Sequence, residues 1–126
     1  MCIRDRPYLK LYAALQRDLE FKVRNLQADI RKILATRSPA MARLVMLDTQ
    51  LGEPLARHAR SVFARTPGIL QQQFGHLQQA HPDSTDAAAT NRLYGDLLQQ
   101  TLLAEIEARL LPILGLLEAL DETTED

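Results

Sequence analysis

Apolar residues along this chain recur at steps of three and four, the spacing that gathers side chains on one face of an α-helix. Between Pro7 and about Ala35 they are Tyr8, Tyr12, Leu15, Leu19, Val23, Leu26, Ile30 and Ile33. Pro7 suits a first helical turn, where its missing N–H leaves no bond unmade. Ser38 followed by Pro39 reads as an N-cap with proline in the first turn, opening a second helix. Its inward face is expected at Met41, Leu44, Leu47, Leu51, Leu55, Ala59 and Val62. So short a link, 36–38, makes the first two helices antiparallel neighbours. Thr66 and Pro67 repeat the cap pairing ahead of a third helix, with Leu70, Phe74 and Leu77 inward and a glutamine-rich outer face. The polar stretch 81–90 reads as the one long loop. A fourth helix follows from about Asn91 to Leu120, aligned through Leu98, Leu102, Ile106, Ile113, Leu116, Leu117 and Leu120. No alternation of period two persists, so no strands are expected. The expected fold class is all-α: an elongated antiparallel helical bundle of about four helices, kinked near Pro54, Pro67 and Pro112.

Some apolar residues fall outside these stripes. Leu97, Leu103, Leu110, Leu111 and Leu114 spread round the fourth helix, and Phe21 points almost opposite the first stripe. A helix apolar on more than one face is either central in a bundle or covered by a partner. Phe21, Leu97, Leu103, Leu111 and Leu114 are therefore the candidate interaction surface, for a protein partner or a homo-oligomer.

With 126 residues the chain is expected to form one domain, over 7–120, followed by an acidic frayed tail at 121–126. The opening MCIRDR, residues 1–6, resembles a translated sequencing-adapter remnant and is expected to be a non-native leader, with the natural N-terminus further upstream. An apolar fraction of 46% and a charged fraction of 25% are those of an ordinary globular protein. No apolar run approaches the ~20 residues of a bilayer crossing. A single cysteine, Cys2, rules out an intrachain disulfide, and the cytoplasm is the expected compartment.

Charge is asymmetric: residues 1–65 hold 13 Lys and Arg against 6 acids, and residues 66–126 hold 2 against 10. Opposite halves of one domain that nearly cancel fit helices folding on one another better than a nucleic-acid surface. Lys10, Arg17, Arg24 and Arg31 recur every seven residues as a basic ridge on the first helix. Such a ridge can track phosphates, or it can flank a helix pair and select its partner. The second reading is favoured, because no aromatics interleave and Asp18, Glu20 and Asp29 dilute the field.

Asp48 and Arg109 both fall on apolar helix faces, where an unpaired charge is costly, so they are expected to meet as a buried ion pair. Glu105, one turn before Arg109, is its i, i+4 partner. His58 lies on the expected inward stripe of the second helix, and none of His58, His76 and His81 has the spacing of a helical zinc site. His58-Ala59-Arg60-Ser61-Val62 departs from the His-x-x-Lys-Gly of four-helix phosphotransfer domains. Glycine-rich phosphate loops, paired catalytic carboxylates and nucleophile arrangements are missing, so neither enzymatic activity nor a cofactor or metal is expected.

The Pro7-Tyr8 start, the turn Ser38-Pro39-Ala40-Met41-Ala42-Arg43-Leu44, Leu47-Asp48, and the closing Leu102-Leu103-Ala104-Glu105 with Arg109-Leu110, Pro112 and Leu114 to Leu120 form a pattern. It resembles the C-terminal part of a bacterial family catalogued as domain of unknown function three-three-four-eight. The resemblance spans nearly all of 7–120, with Gly52 and Pro54 departing from the uninterrupted helix it implies. It transfers no functional residues. Members tend to be encoded near envelope proteins similar to outer membrane protein A, which implies an accessory to an envelope-associated assembly. The expected function is a non-enzymatic helical interaction or scaffold module. The alternative is a nucleic-acid-associated or regulatory protein using the basic N-terminal half.

Overall fold

The computed structural model describes residues 6–80 and 87–124, and over these every residue is helical except in two short turns. The helices are α1 (Arg6–Ala35), α2 (Pro39–Phe63), α3 (Thr66–Ala80) and α4 (Ala87–Thr124). At 1.5 Å per residue the 38 residues of α4 extend about 57 Å, which sets the length of the bundle. α4 therefore starts earlier than Asn91 and continues past Leu120 into the acidic segment.

Local chemistry explains the boundaries from α1 to α3. After Ala35 the chain turns through Thr36 and Arg37, whose amides donate to the carbonyls of Ile33 and Leu34. Ser38 is extended, and its hydroxyl accepts from the Met41 amide at 3.1 Å, supplying the N-cap that Pro39 follows. α2 and α3 are separated only by Ala64 and Arg65. The Ala64 amide still donates to Arg60, and Ile69 donates back to Arg65, so the two segments form one bent path ahead of Pro67. α2 continues through Pro54 and α4 through Pro112 without a break.

Two apolar clusters fix the topology. Leu9, Tyr12, Leu70, Phe74, Tyr94 and Leu98 form one, joining the start of α1, α3 and the start of α4. Within it Phe74 stacks on Tyr94 at 4.5 Å between ring centroids, and Tyr8 meets both edge-on. Leu34, Met41, Val45 and Leu116 form the other, joining the end of α1, the start of α2 and the end of α4. α1 and α4 therefore run parallel, and the bent α2–α3 path returns antiparallel between their ends. Each large side chain so buried contributes roughly 1.5–3 kcal/mol.

The inward face of α2 differs from the expected one. Met41 and Val45 are buried, and Asp48, Gly52, Ala56, Ala59 and Phe63 continue the same face, part-buried. Leu47, Leu51 and Leu55 are 54%, 54% and 55% exposed, and Val62 and His58 are exposed too. The observed set lies one residue later than the leucine row, a rotation of about 100°. The reason lies in the neighbours. α1 and α4 bring Arg31 and Arg109 to the middle of the bundle, and the small residues of α2 leave room for them. α1 shows a smaller drift: Leu34 is buried in place of Ile33, and Gln27 faces in while Leu26 faces out.

Candidate functional site

Between the two apolar clusters many inward positions are polar or small, although Val23, Phe63 and Ile113 also face in. α1 supplies Gln16, Gln27 and Arg31, α2 supplies Asp48, Gly52, Ala56 and Ala59, and α4 supplies Glu105 and Arg109. Glu105 is the hub and is almost fully buried. Its carboxylate accepts from the Tyr12 hydroxyl, from Gln16 Nε2 at 2.9 Å and from Arg109 Nη2 at 3.1 Å. Gln16 Nε2 also donates to the Phe63 carbonyl at 3.0 Å, tying α1 to the end of α2. The Arg109 guanidinium lies over the Phe63 ring, 4.5 Å from its centroid, so its charge is shared between a carboxylate and a π face. Arg109 Nε is buried and meets no acceptor among the described residues.

Burial, first, and then the hydrogen bond to Glu105 and its negative charge hold the Tyr12 hydroxyl protonated far above the usual tyrosine range, although Arg109 pulls the other way. Its proton is committed to Glu105. Three donors converge on one carboxylate, which holds the ion pair in the interior.

A second pair lies one step along the bundle. Arg31 Nε donates to Asp48 Oδ2 at 2.6 Å, Arg31 Nη2 reaches the Asp48 carbonyl at 3.2 Å, and Gln27 adds a bond to the same carboxylate. Gly52 makes this possible. A Cβ there would stand 2.8 Å from Arg31 Nη2, so any larger residue would displace the guanidinium. Nearer solvent, Arg60 bridges Glu20 and Glu53. The helices enclose a cleft of about 330 Å³ here, walled by Val23, Leu55, Phe63 and Pro112 and by the charges of Glu20, Arg24, Arg31, Asp48 and Arg109.

Asp48 and Arg109 line the same cleft but pair elsewhere, with Arg31 and Glu105 respectively, so the expected Asp48–Arg109 bridge is replaced by two separate bridges. Glu105 and Arg109 do form the i, i+4 pair. The basic ridge is divided: Lys10 and Arg17 are exposed, Arg24 pairs with Glu20, and Arg31 turns into the cleft. Of the candidate surface, Phe21, Leu103, Leu111 and Leu114 are exposed, whereas Leu97 packs against the first apolar cluster. His58 and His76 are exposed and His81 lies outside the described residues. Among the described residues no three His, Cys, Asp or Glu side chains gather closely enough to hold a metal ion, and no helix is long and apolar enough to cross a membrane.

Sequence reasoning missed Gln16 and Phe63, and it assigned Arg31 to the basic ridge and Gly52 to a helix interruption rather than to the cleft. A signal existed: Tyr12, Gln16, Val23, Gln27, Arg31 and Leu34 share helical spacing, and Gly52 stands one turn after Asp48 on the same helix face.

No curated protein and no solved structure matches the chain. A family model matches residues 4–122, essentially its whole length, and the chain belongs to the family described as Protein of unknown function (DUF3348).

Proposed function

We propose that this chain is a non-enzymatic helical interaction module, docking other helices through the leucine-rich outer faces of α2 and α4. The observation that carries this reading is the row Leu47, Leu51, Leu55 and Val62 on α2, each about half exposed, together with Leu103, Leu111, Leu114 and Leu117 on α4. Isolated exposed leucines are ordinary, but rows at helical spacing on rigid helices are what helix-in-groove recognition uses. The interior polar cluster supports the reading from the other side. Its charges are spent on one another, and the Tyr12 hydroxyl is held protonated. The interrupted ridge likewise weighs against phosphate tracking, since Arg24 and Arg31 are already paired within the chain.

The test compares wild type with Leu51→Lys/Leu55→Lys in self-association and in affinity capture, envelope-associated assemblies being the first place to look for partners. The expected result is an association, with itself or with an identified protein, that the double variant loses while its helicity is kept. If neither kind of association depends on these leucines, the reading fails.

A further inference from the structure

The two exposed faces differ in charge, and the difference points to what covers them. On α2 and the turn after it, Arg43, Leu47, Leu51, Leu55, Val62 and Arg65 follow one another at steps of three, four and seven, so one solvent-facing row carries leucines with an arginine at each end. The acids of α2 lie elsewhere: Asp48 is bound by Arg31 and Glu53 by Arg60. On α4, Leu103, Glu107, Leu111, Leu114 and Glu118 form a row of the same kind with the opposite charge, and all are exposed. The only base on α4 beyond Arg92 is Arg109, which is 9% exposed and neutralised by Glu105. None of Arg43, Arg65, Glu107 and Glu118 forms an ion pair among the described residues.

We infer that a second copy of this chain covers these faces, the basic leucine row of α2 in one copy lying against the acidic leucine row of α4 in the other. This deepens, and rests on, the reading of the chain as a helical interaction module. Within one chain the two rows cannot meet, because α2 already presents its other face, Met41 to Phe63, to α1 and α4. Between chains, helix pairing buries both leucine rows and sets the arginine-flanked row against the row that carries Glu107 and Glu118, an arrangement in which charges beside the leucines choose partner and orientation. The acidic row has no attraction for another acidic row, nor the basic for a basic, so the contact is α2 to α4 and not like to like.

The experiment measures molar mass by sedimentation against concentration for the full chain and two charge-reversed variants, Arg43→Glu/Arg65→Glu and Glu107→Arg/Glu118→Arg. Wild type is expected to associate reversibly, more weakly at about 1 M salt than at about 0.1 M, where the Debye length is three times longer. Each variant alone presents like charges on both rows and is expected to associate about tenfold more weakly or worse. Mixed in equal amounts, the two variants again pair unlike rows, and association is expected to return. Recovery on mixing cannot arise from a folding defect in either variant. A wild type that stays monomeric, or variants that associate as well alone as when mixed, would overturn the inference. If wild type is monomeric yet a different protein is captured through Leu51 and Leu55, self-docking is refuted and the module reading stands. If no association of any kind depends on those leucines, both fall.

Discussion

The apolar ends and the polar middle of this bundle are held together by different physics. At the ends, Phe74 against Tyr94 and Leu34 against Met41 are non-directional contacts, and each side chain removed loses its own burial plus the space it leaves. In the middle, Glu105 and Arg109 are worth keeping only together, because either one alone is a buried charge without a counter-ion. The ends make the fold stable, and the middle makes the helix alignment particular: Tyr12, Gln16 and Arg109 reach Glu105 only when α1 and α4 are in this register. The same requirement fixes the rotation of α2, whose small residues face the charges and whose leucines consequently face solvent.

The largest expected effect tests that contrast directly. Arg109→Met leaves Glu105 buried and short of its cation, and a loss of about 3–5 kcal/mol in unfolding free energy is expected from denaturant titration. Adding Glu105→Leu together with Tyr12→Phe should return most of the loss, since an apolar pair of similar volume then replaces both charges and no buried hydroxyl is left without its acceptor. At the ends no such recovery exists, and Leu34→Ala with Leu116→Ala should cost more than either alone. Recovery at the ends, or none in the middle, would erase the distinction.

Tyr12→Phe comes next, with an expected cost of about 1–3 kcal/mol from leaving Glu105 with one donor fewer. It should also alter the alkaline limb. The Tyr12 hydroxyl titrates higher in the folded chain than in the unfolded one, so its contribution is fully present below pH 10, the ordinary tyrosine value, and declines as pH rises above it. Circular dichroism from pH 9 upward should show wild type losing stability more steeply than Tyr12→Phe. Equal slopes would mean that the hydroxyl is not buried against a carboxylate.

Gly52→Ala is expected to shift stability by less than about 1 kcal/mol, because better helix propensity offsets the displaced Arg31 guanidinium. Its signature is instead in Asp48, which loses the Arg31 contact, so Asp48→Asn should cost less in the Gly52→Ala background than in wild type. A double-mutant cycle with no coupling would detach Gly52 from the pair.

Much of this architecture was legible in the sequence, for identifiable reasons. Ser38-Pro39 and the three-and-four spacing of Tyr12, Leu70, Phe74, Leu98 and Leu116 placed the helices and some members of each cluster, because caps and periodic burial are local signals, whereas Leu9, Leu34, Val45 and Tyr94 fell outside the expected stripes. Glu105 with Arg109 was legible for the same reason, being one turn apart. The rotation of α2 was not. Hydrophobicity favoured Leu47, Leu51 and Leu55, and the opposing demand comes from Arg31 and Arg109 on other helices, a tertiary fact that no window along α2 contains. The pairing of Asp48 followed the same pattern: its partner, Arg31, belongs to the basic ridge of another helix.

The rotation of α2 creates both the polar middle and the exposed leucine row. It is tested most directly by the thermal unfolding midpoint of Leu47→Lys/Leu51→Lys, compared with wild type at a concentration where both are monomeric. With those leucines at the surface, each substitution should change stability by no more than about 0.5 kcal/mol, leaving the midpoint nearly unmoved. A collapse of the midpoint, as expected for lysines forced into a core, would contradict the account.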